Sequence, residues 1–202
     1  MKPQSFERAR QYAEHRLERE LSPNLLYHGI VHTREEVVRA AETLARMEGI
    51  PEKSFSLLLT AAWFHDIGFI EQALSHELIS AQIAVEVLPS FGYRKDEVES
   101  VRSAILATAL PQSPKNRLEE ILADADLDIL GSDKFMQRNE DLRHELAYLG
   151  KELTDEQWYS GQLKFLEGHK YFTSSARSLR DIQKIRNINQ LRKTLELLTQ
   201  DK

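Results

Sequence analysis

The residues best equipped to do chemistry are His65 and Asp66, adjacent in the run Ala61-Ala62-Trp63-Phe64-His65-Asp66-Ile67-Gly68. An imidazole and a carboxylate at the end of an apolar stretch are costly to bury unless something satisfies them. A metal ion would satisfy both. Further ligand types stand upstream, at His28 and His32, and downstream, at Asp124 and Asp126. The chain has no Cys, so disulfides and thiolate zinc sites are excluded. Two His and two carboxylates suit Mn, Fe, Co, Ni, Zn or Mg better than Ca or Cu(I). Such a set leaves coordination positions open, and water there would be acidic enough to act as a nucleophile near neutral pH. A lone His-Asp pair is common and by itself means little; the order His, His-Asp, Asp makes the hypothesis.

The elements that must position these residues read as helices throughout, because alternating β-branched runs are absent and Gly and Pro fall at boundaries. Phe6, Ala9, Tyr12, Ala13 and Leu17 predict a first helix over 4–20. Thr33-Arg34-Glu35-Glu36 has the spacing of a capping box opening a second, with Val37, Val38, Ala41, Leu44 and Ala45 as its stripe. Residues 54–67 are apolar on nearly all sides and mark the central buried helix. Further helices are expected over 75–88, over 96–106 with Asp96 and Glu99 at capping positions, and over 118–129. Thr154-Asp155-Glu156-Gln157 opens another. From Ala176 onward, Leu179, Ile182, Ile185, Ile188, Leu191, Leu195 and Leu198 form a stripe that either packs on the bundle or joins two copies in a homodimer.

At 202 residues one domain is expected, with N-terminal helix 1–23, main body 24–150 and C-terminal helical extension 151–202. The polar start, Met1 to Arg10, lacks the apolar core of a signal peptide. The longest apolar stretch, Leu57 to Phe64, is too short to span a membrane. Absence of Cys fits a cytoplasmic setting. A net charge of −5 argues against general nucleic-acid binding.

Three segments together resemble the HD-domain superfamily of metal-dependent phosphohydrolases: Tyr27-His28-Gly29-Ile30-Val31-His32, Phe64-His65-Asp66-Ile67-Gly68, and Ala123-Asp124-Ala125-Asp126-Leu127-Asp128-Ile129-Leu130-Gly131. The resemblance spans about residues 24–135. It implies an all-α HD-domain helical bundle, one or two divalent ions, and hydrolysis of phosphomonoesters, phosphodiesters or nucleoside triphosphates. By position it makes His32, His65, Asp66 and Asp126 the metal ligands. Asp124 is then either a residue behind a ligand or an exposed helix carboxylate, and Asp128 a surface or capping residue. His28 matches a proton donor to the leaving oxygen in some members, a task suited to imidazole. His76 is expected to face substrate or stand behind the ligands, with a helix-start role as the plain alternative.

The chain also departs from relatives. It has no His between positions 77 and 143, which favours one ion. Phe69 follows Gly68 where members that cleave cyclic dinucleotides carry Lys. Thr108 to Pro114 reads as a pocket rim or a plain connector. Arg177, Arg180 and Lys184 share a helix face that either holds a phosphate tail or is paired with acidic groups. The leading function is hydrolysis of a small phosphorylated molecule, a nucleotide or related compound, by a metal-activated water, with Asp66 and His28 catalytic and His76, Arg177 and Arg180 binding substrate. The alternatives are a non-catalytic ligand- or partner-binding module with a structural ion, and a di-iron oxygenase, which would need more ligands than can be placed.

Overall fold

A computed structural model describes residues 3–200, and its regular elements are helical, as expected. They are α1 (Pro3–Glu20), a π-helical turn (His32–Val37) running into α2 (Val38–Met47), α3 (Glu52–Phe64), α4 (His76–Val87), α5 (Lys95–Leu106), α6 (Arg117–Asp126), α7 (Phe135–Tyr148), α8 (Asp155–Gly168) and α9 (Ser174–Gln200). Short 3-10 turns, Ile67–Ile70, Leu88–Phe91 and Asp128–Gly131, follow α3, α4 and α6. Among the described residues no helix is long and apolar enough to cross a membrane.

Apolar spacing explains the packing. Helix α3 is central, with Leu58, Ala61, Ala62 and Phe64 wholly enclosed. Ala9, Ala13 and Leu17 of α1, four residues apart, face the same core, as do Ala41 and Leu44 of α2 and Val101 and Ile105 of α5. A second, smaller cluster joins Tyr27 to Ile129, Leu130, Phe135, Leu166 and Leu191. It ties α7, α8 and α9 to the turn after α6.

Several local expectations are corrected. Thr33 caps nothing: the chain is already helical at Val31, and the buried Thr33 hydroxyl is unpaired. The π-helical turn takes the place of the capping box. At α5 the capping pair is Arg94 with Glu97, whose carboxylate accepts the Arg94 N–H at 3.0 Å, not Asp96 and Glu99. Helix α3 stops at Phe64, and α6 stops at Asp126 rather than 129. Thr154 and Gln157 do form a reciprocal capping box on α8.

The C-terminal helix is the largest surprise. Its apolar stripe does not simply pack inward: Leu191 is buried, but Leu179, Ile182 and Ile185 are exposed. The inward face is mostly polar. Asn187 donates to the carbonyls of Leu130 and Ser132 at 2.9 and 2.8 Å. Arg180 pairs bidentately with Asp128 at 2.6 Å. Gly131 allows this approach, since a Cβ there would lie 2.4 Å from the Arg180 Cβ. Asp124 is fully buried and accepts the N–H groups of Phe172 and Thr173, both at 2.8 Å, and the Thr173 hydroxyl at 2.7 Å. It anchors the start of α9 and is neither exposed nor behind a ligand. Asp128 is likewise the anchor for Arg180 rather than a cap.

Lys184 is buried against His169, donating to its carbonyl and to its Nδ1. Burial, then the Lys184 charge, pushes the His169 imidazole down to about 4. The unfolded chain takes up a proton near pH 6.5 that the folded chain refuses, so stability falls as pH drops from about 6.5 towards 4. His169→Gln should remove on the order of 2 kcal/mol of that pH dependence, read from urea unfolding at near-neutral and mildly acidic pH.

Candidate metal centre

The end of α3 delivers the central pair. His65 caps the helix, and Asp66 leaves it at φ −107°, ψ 4°, a sparsely populated conformation frequent at active sites. Successive residues on a continued helix would diverge by about 100°; breaking the helix between them lets both side chains turn to one point. The π-helical turn brings His32 to the same point, and the last residue of α6 brings Asp126.

His32, His65 and Asp66 are buried and form a group able to hold a metal ion. His65 Nε2 lies 3.2 Å from Asp66 Oδ2 and 3.4 Å from Asp126 Oδ1; His32 Nε2 lies 3.3 Å from Asp126 Oδ1 and 3.8 Å from Asp66 Oδ2. Donor atoms sharing one ion at about 2.1 Å stand about 3.0–3.4 Å apart; three of these four separations lie in that range, and the fourth, His32 Nε2 to Asp66 Oδ2, is wider at 3.8 Å. His65 Nε2 and Asp66 Oδ2 are also buried without a hydrogen-bond partner. Unpaired buried atoms of this kind call for an ion.

The imidazoles are held from behind. His65 Nδ1 is 2.8 Å from the Ala62 carbonyl, which fixes the ring and turns Nε2 inward. His32 Nδ1 is 2.9 Å from Glu36 Oε2. Glu36 is paired in turn with Arg138 at 2.9 Å, and Arg138 donates to the carbonyls of Leu26 and Tyr27 at 3.0 and 2.8 Å. Arg138 was not singled out in the sequence, and Glu36 only as the closing residue of a capping-box pattern. The four-residue spacing of His32 and Glu36 was the available signal.

The electrostatics ask for positive charge. Burial pulls the His32 imidazolium down, but contact with Asp126 and Glu36 outweighs it and raises the pKa to about 9. Burial likewise opposes charge on His65, and Asp66 and Asp126 overcome it. Asp126 is held at about 2 against its own burial by His32 and His65.

Two further histidines face the same cavity. His76 Nε2 lies 3.3 Å from Asp66 Oδ1, and despite burial this carboxylate raises its pKa. Gly68 permits the approach: its N–H donates to Ser80 Oγ at 2.8 Å, and a Cβ there would lie 2.2 Å from the His76 carbonyl. Ser75, just before His76, adopts the left-handed conformation at φ 57°. His28 Nδ1 pairs with Glu145 Oε1, and Glu145 Oε2 accepts the N–H groups of Tyr27 and His28 at 2.8 and 3.0 Å. Phe69 packs against both rings, its centroid 4.2 Å from that of His28 and 4.0 Å from that of His76.

These groups open onto a cavity of about 360 Å³. Thr108 and Leu110 line it, so the segment expected as rim or connector is rim. Arg177 and Arg180 do not reach it. Arg177 donates to the carbonyls of Tyr171 and Phe172, both at 2.8 Å, and Arg180 is held by Asp128. Backbone acceptors and a half-buried carboxylate claim these cations, which corrects the expectation that they bind substrate.

A model of the HD-domain family matches residues 30–128. A structure described as a predicted HD superfamily hydrolase from an uncultured Thermotogales bacterium is 22% identical, covering 80% of this chain and 88% of its own, with a TM-score of 0.55. A Lactobacillus plantarum protein is 18% identical, covering 95% of this chain and 96% of its own, with a TM-score of 0.67. At these identities the likeness shows the fold. No curated protein matches.

Arg138→Met should destabilise the fold by about 3 kcal/mol, because it strands Glu36 and two carbonyls; chemical denaturation reads the loss. Gly68→Ala should cost about 3 kcal/mol by the same measurement, because backbone rather than a flexible side chain stands in the way.

Proposed function

The chain is an HD-domain protein over residues 30–128, and on that premise we propose that it is a metal-dependent phosphohydrolase. In this reading His32, His65, Asp66 and Asp126 hold one divalent ion, Mn, Mg, Fe, Co, Ni or Zn, and the substrate is a small phosphorylated molecule. The observation that carries it is the pair of buried, unpaired atoms, His65 Nε2 and Asp66 Oδ2, among donors spaced for one ion. An ion bound there supplies a Lewis acid for the phosphoryl oxygens and lowers the pKa of water.

The protein's own groups do the rest. Asp66 presents Oδ2 to the ligand cluster and Oδ1 to His76, which suits it to orient the attacking water. His76, whose pKa Asp66 raises against burial, is placed to attract a phosphoryl oxygen. His28 is held through Nδ1 by Glu145, leaving Nε2 free of protein partners among the described residues. Burial raises the Glu145 pKa, but the bonds from His28 and two amides lower it further, so Glu145 stays ionised and holds His28 through Nδ1. From Nε2 His28 protonates the departing oxygen, a contribution of about a hundredfold or more.

The test is phosphate release from nucleotides and simple phosphoesters by metal-stripped protein reloaded with each ion. Turnover should require metal. A bound ion should raise the melting temperature and bind more tightly as pH rises, because it displaces protons. Asp66→Ala should lose both turnover and metal stabilisation. His28→Asn should lower kcat about a hundredfold and leave metal binding intact. Metal binding without turnover on any ester would instead support a ligand-binding module.

A further inference from the structure

Helix α9 has two unlike faces. Lys184, Asn187 and Leu191 turn inward and are buried. Ser178, Ile182, Ile185 and Asn189 form the opposite stripe, and all four are exposed. Ile182 is 67% exposed and Ile185 58%, with the half-exposed Leu179 beside them. Exposed apolar side chains alone decide nothing. The polar residues around these two are what carry information.

The stripe has the spacing of a heptad seam. Ile182 and Asn189 take its a positions, and Ser178 and Ile185 its d positions. Asp181 then falls at g, and Arg186, five residues on, at the following e. In a parallel pair of helices, g of one strand faces that e of the other, so each copy's Asp181 meets the other's Arg186. An antiparallel pair sets like flanks together, and these two charges, on opposite flanks, would not meet. Within the chain neither charge forms an ion pair among the described residues; Arg186 donates to Gln183 at 3.2 Å. Asp181 acts on the inward-facing Lys184 only at longer range. Other cations of α9 are already held, Arg180 by Asp128 and Arg192 by Glu167, both at 2.6 Å. A single Asn at an a position also sets register, because its amide is matched by the same amide across the seam.

We propose that this face of α9 docks on the same face of a second copy of the chain, as a parallel two-fold pair. Ile182, Ile185 and Asn189 form its centre, and two Asp181–Arg186 ion pairs flank it. The seam ends after Asn189, since Arg192 at the next d position belongs to Glu167 of α8. A contact of about three turns is small beside a permanent interface. The dimer is therefore reversible, with a Kd of about 10–100 μM. None of this depends on the hydrolase reading.

Sedimentation of the full chain from about 5 to 500 μM should show a monomer giving way to a dimer. Ile185→Asp should weaken the dimer about tenfold or more and leave the melting temperature of dilute protein unchanged, because the side chain already faces water. Arg186→Glu sets two carboxylates against each other and should weaken it about fivefold; adding Asp181→Lys should restore it. The chain has no Cys, so one introduced thiol reports orientation. Asn189→Cys faces its own copy in the parallel pair, within disulfide reach, and should crosslink about tenfold faster than Ser90→Cys, exposed on the turn after α4. In an antiparallel pair centred on the isoleucines, position 189 would instead face 178. A monomer throughout the range, a dimer indifferent to Ile185→Asp, no rescue by the charge exchange, or crosslinking of Asn189→Cys no faster than the control overturns the proposal.

Discussion

Most of this structure answers to one constraint: two imidazole nitrogens and two carboxylates are brought together in the interior, where only protons on the rings or a bound cation can balance the carboxylates. Like charges so close, and an unpaired buried carboxylate oxygen, are unstable without a cation. The surroundings hold the arrangement open rather than relieve it. Glu36 and the Ala62 carbonyl occupy the outer nitrogens of His32 and His65, so neither ring can rotate away. Arg138 braces Glu36 and crosses to the backbone at Leu26 and Tyr27. The same segment that precedes His32 is thereby fastened to α7.

The C-terminal helices take part in the site without supplying ligands. Glu145 of α7 positions His28, and α7 and α8 wall the cavity. Helix α9 stays at a distance but sets the geometry. Asp124, two residues before Asp126, grips its start, and Asn187 and Arg180 hold the turn that follows α6. Charged and amide groups do this work where packing of leucines was expected. Polar contacts are directional, so they fix the rotation of α6 and the aim of Asp126 more tightly than apolar contact would.

The sequence spoke clearly where local chemistry and periodicity agree. Helix α1, the burial of Leu58 and Ala61, and the cap at Thr154 follow from spacing alone. The meeting of His32, His65, Asp66 and Asp126 was legible because three separate motifs kept a recognisable order. Thr33 misled because Thr followed by Glu at the right spacing cannot show that the helix has already begun at residue 30. Arg177 and Arg180 misled because a cationic face looks the same whether it awaits a phosphate or already has its acceptors. Glu145, 117 residues from His28, left no signal in spacing.

By itself, then, the sequence determined the helical class, the central helix and the four candidate ligands, since these depend on residue type and near neighbours. The tertiary structure decided what Asp124 holds, which face of α9 turns inward, and which buried polar groups stand unpaired. Those outcomes depend on partners distant in the chain. An imidazole, a carboxylate or an amide acquires its role from the groups that do, or do not, complete its hydrogen bonds.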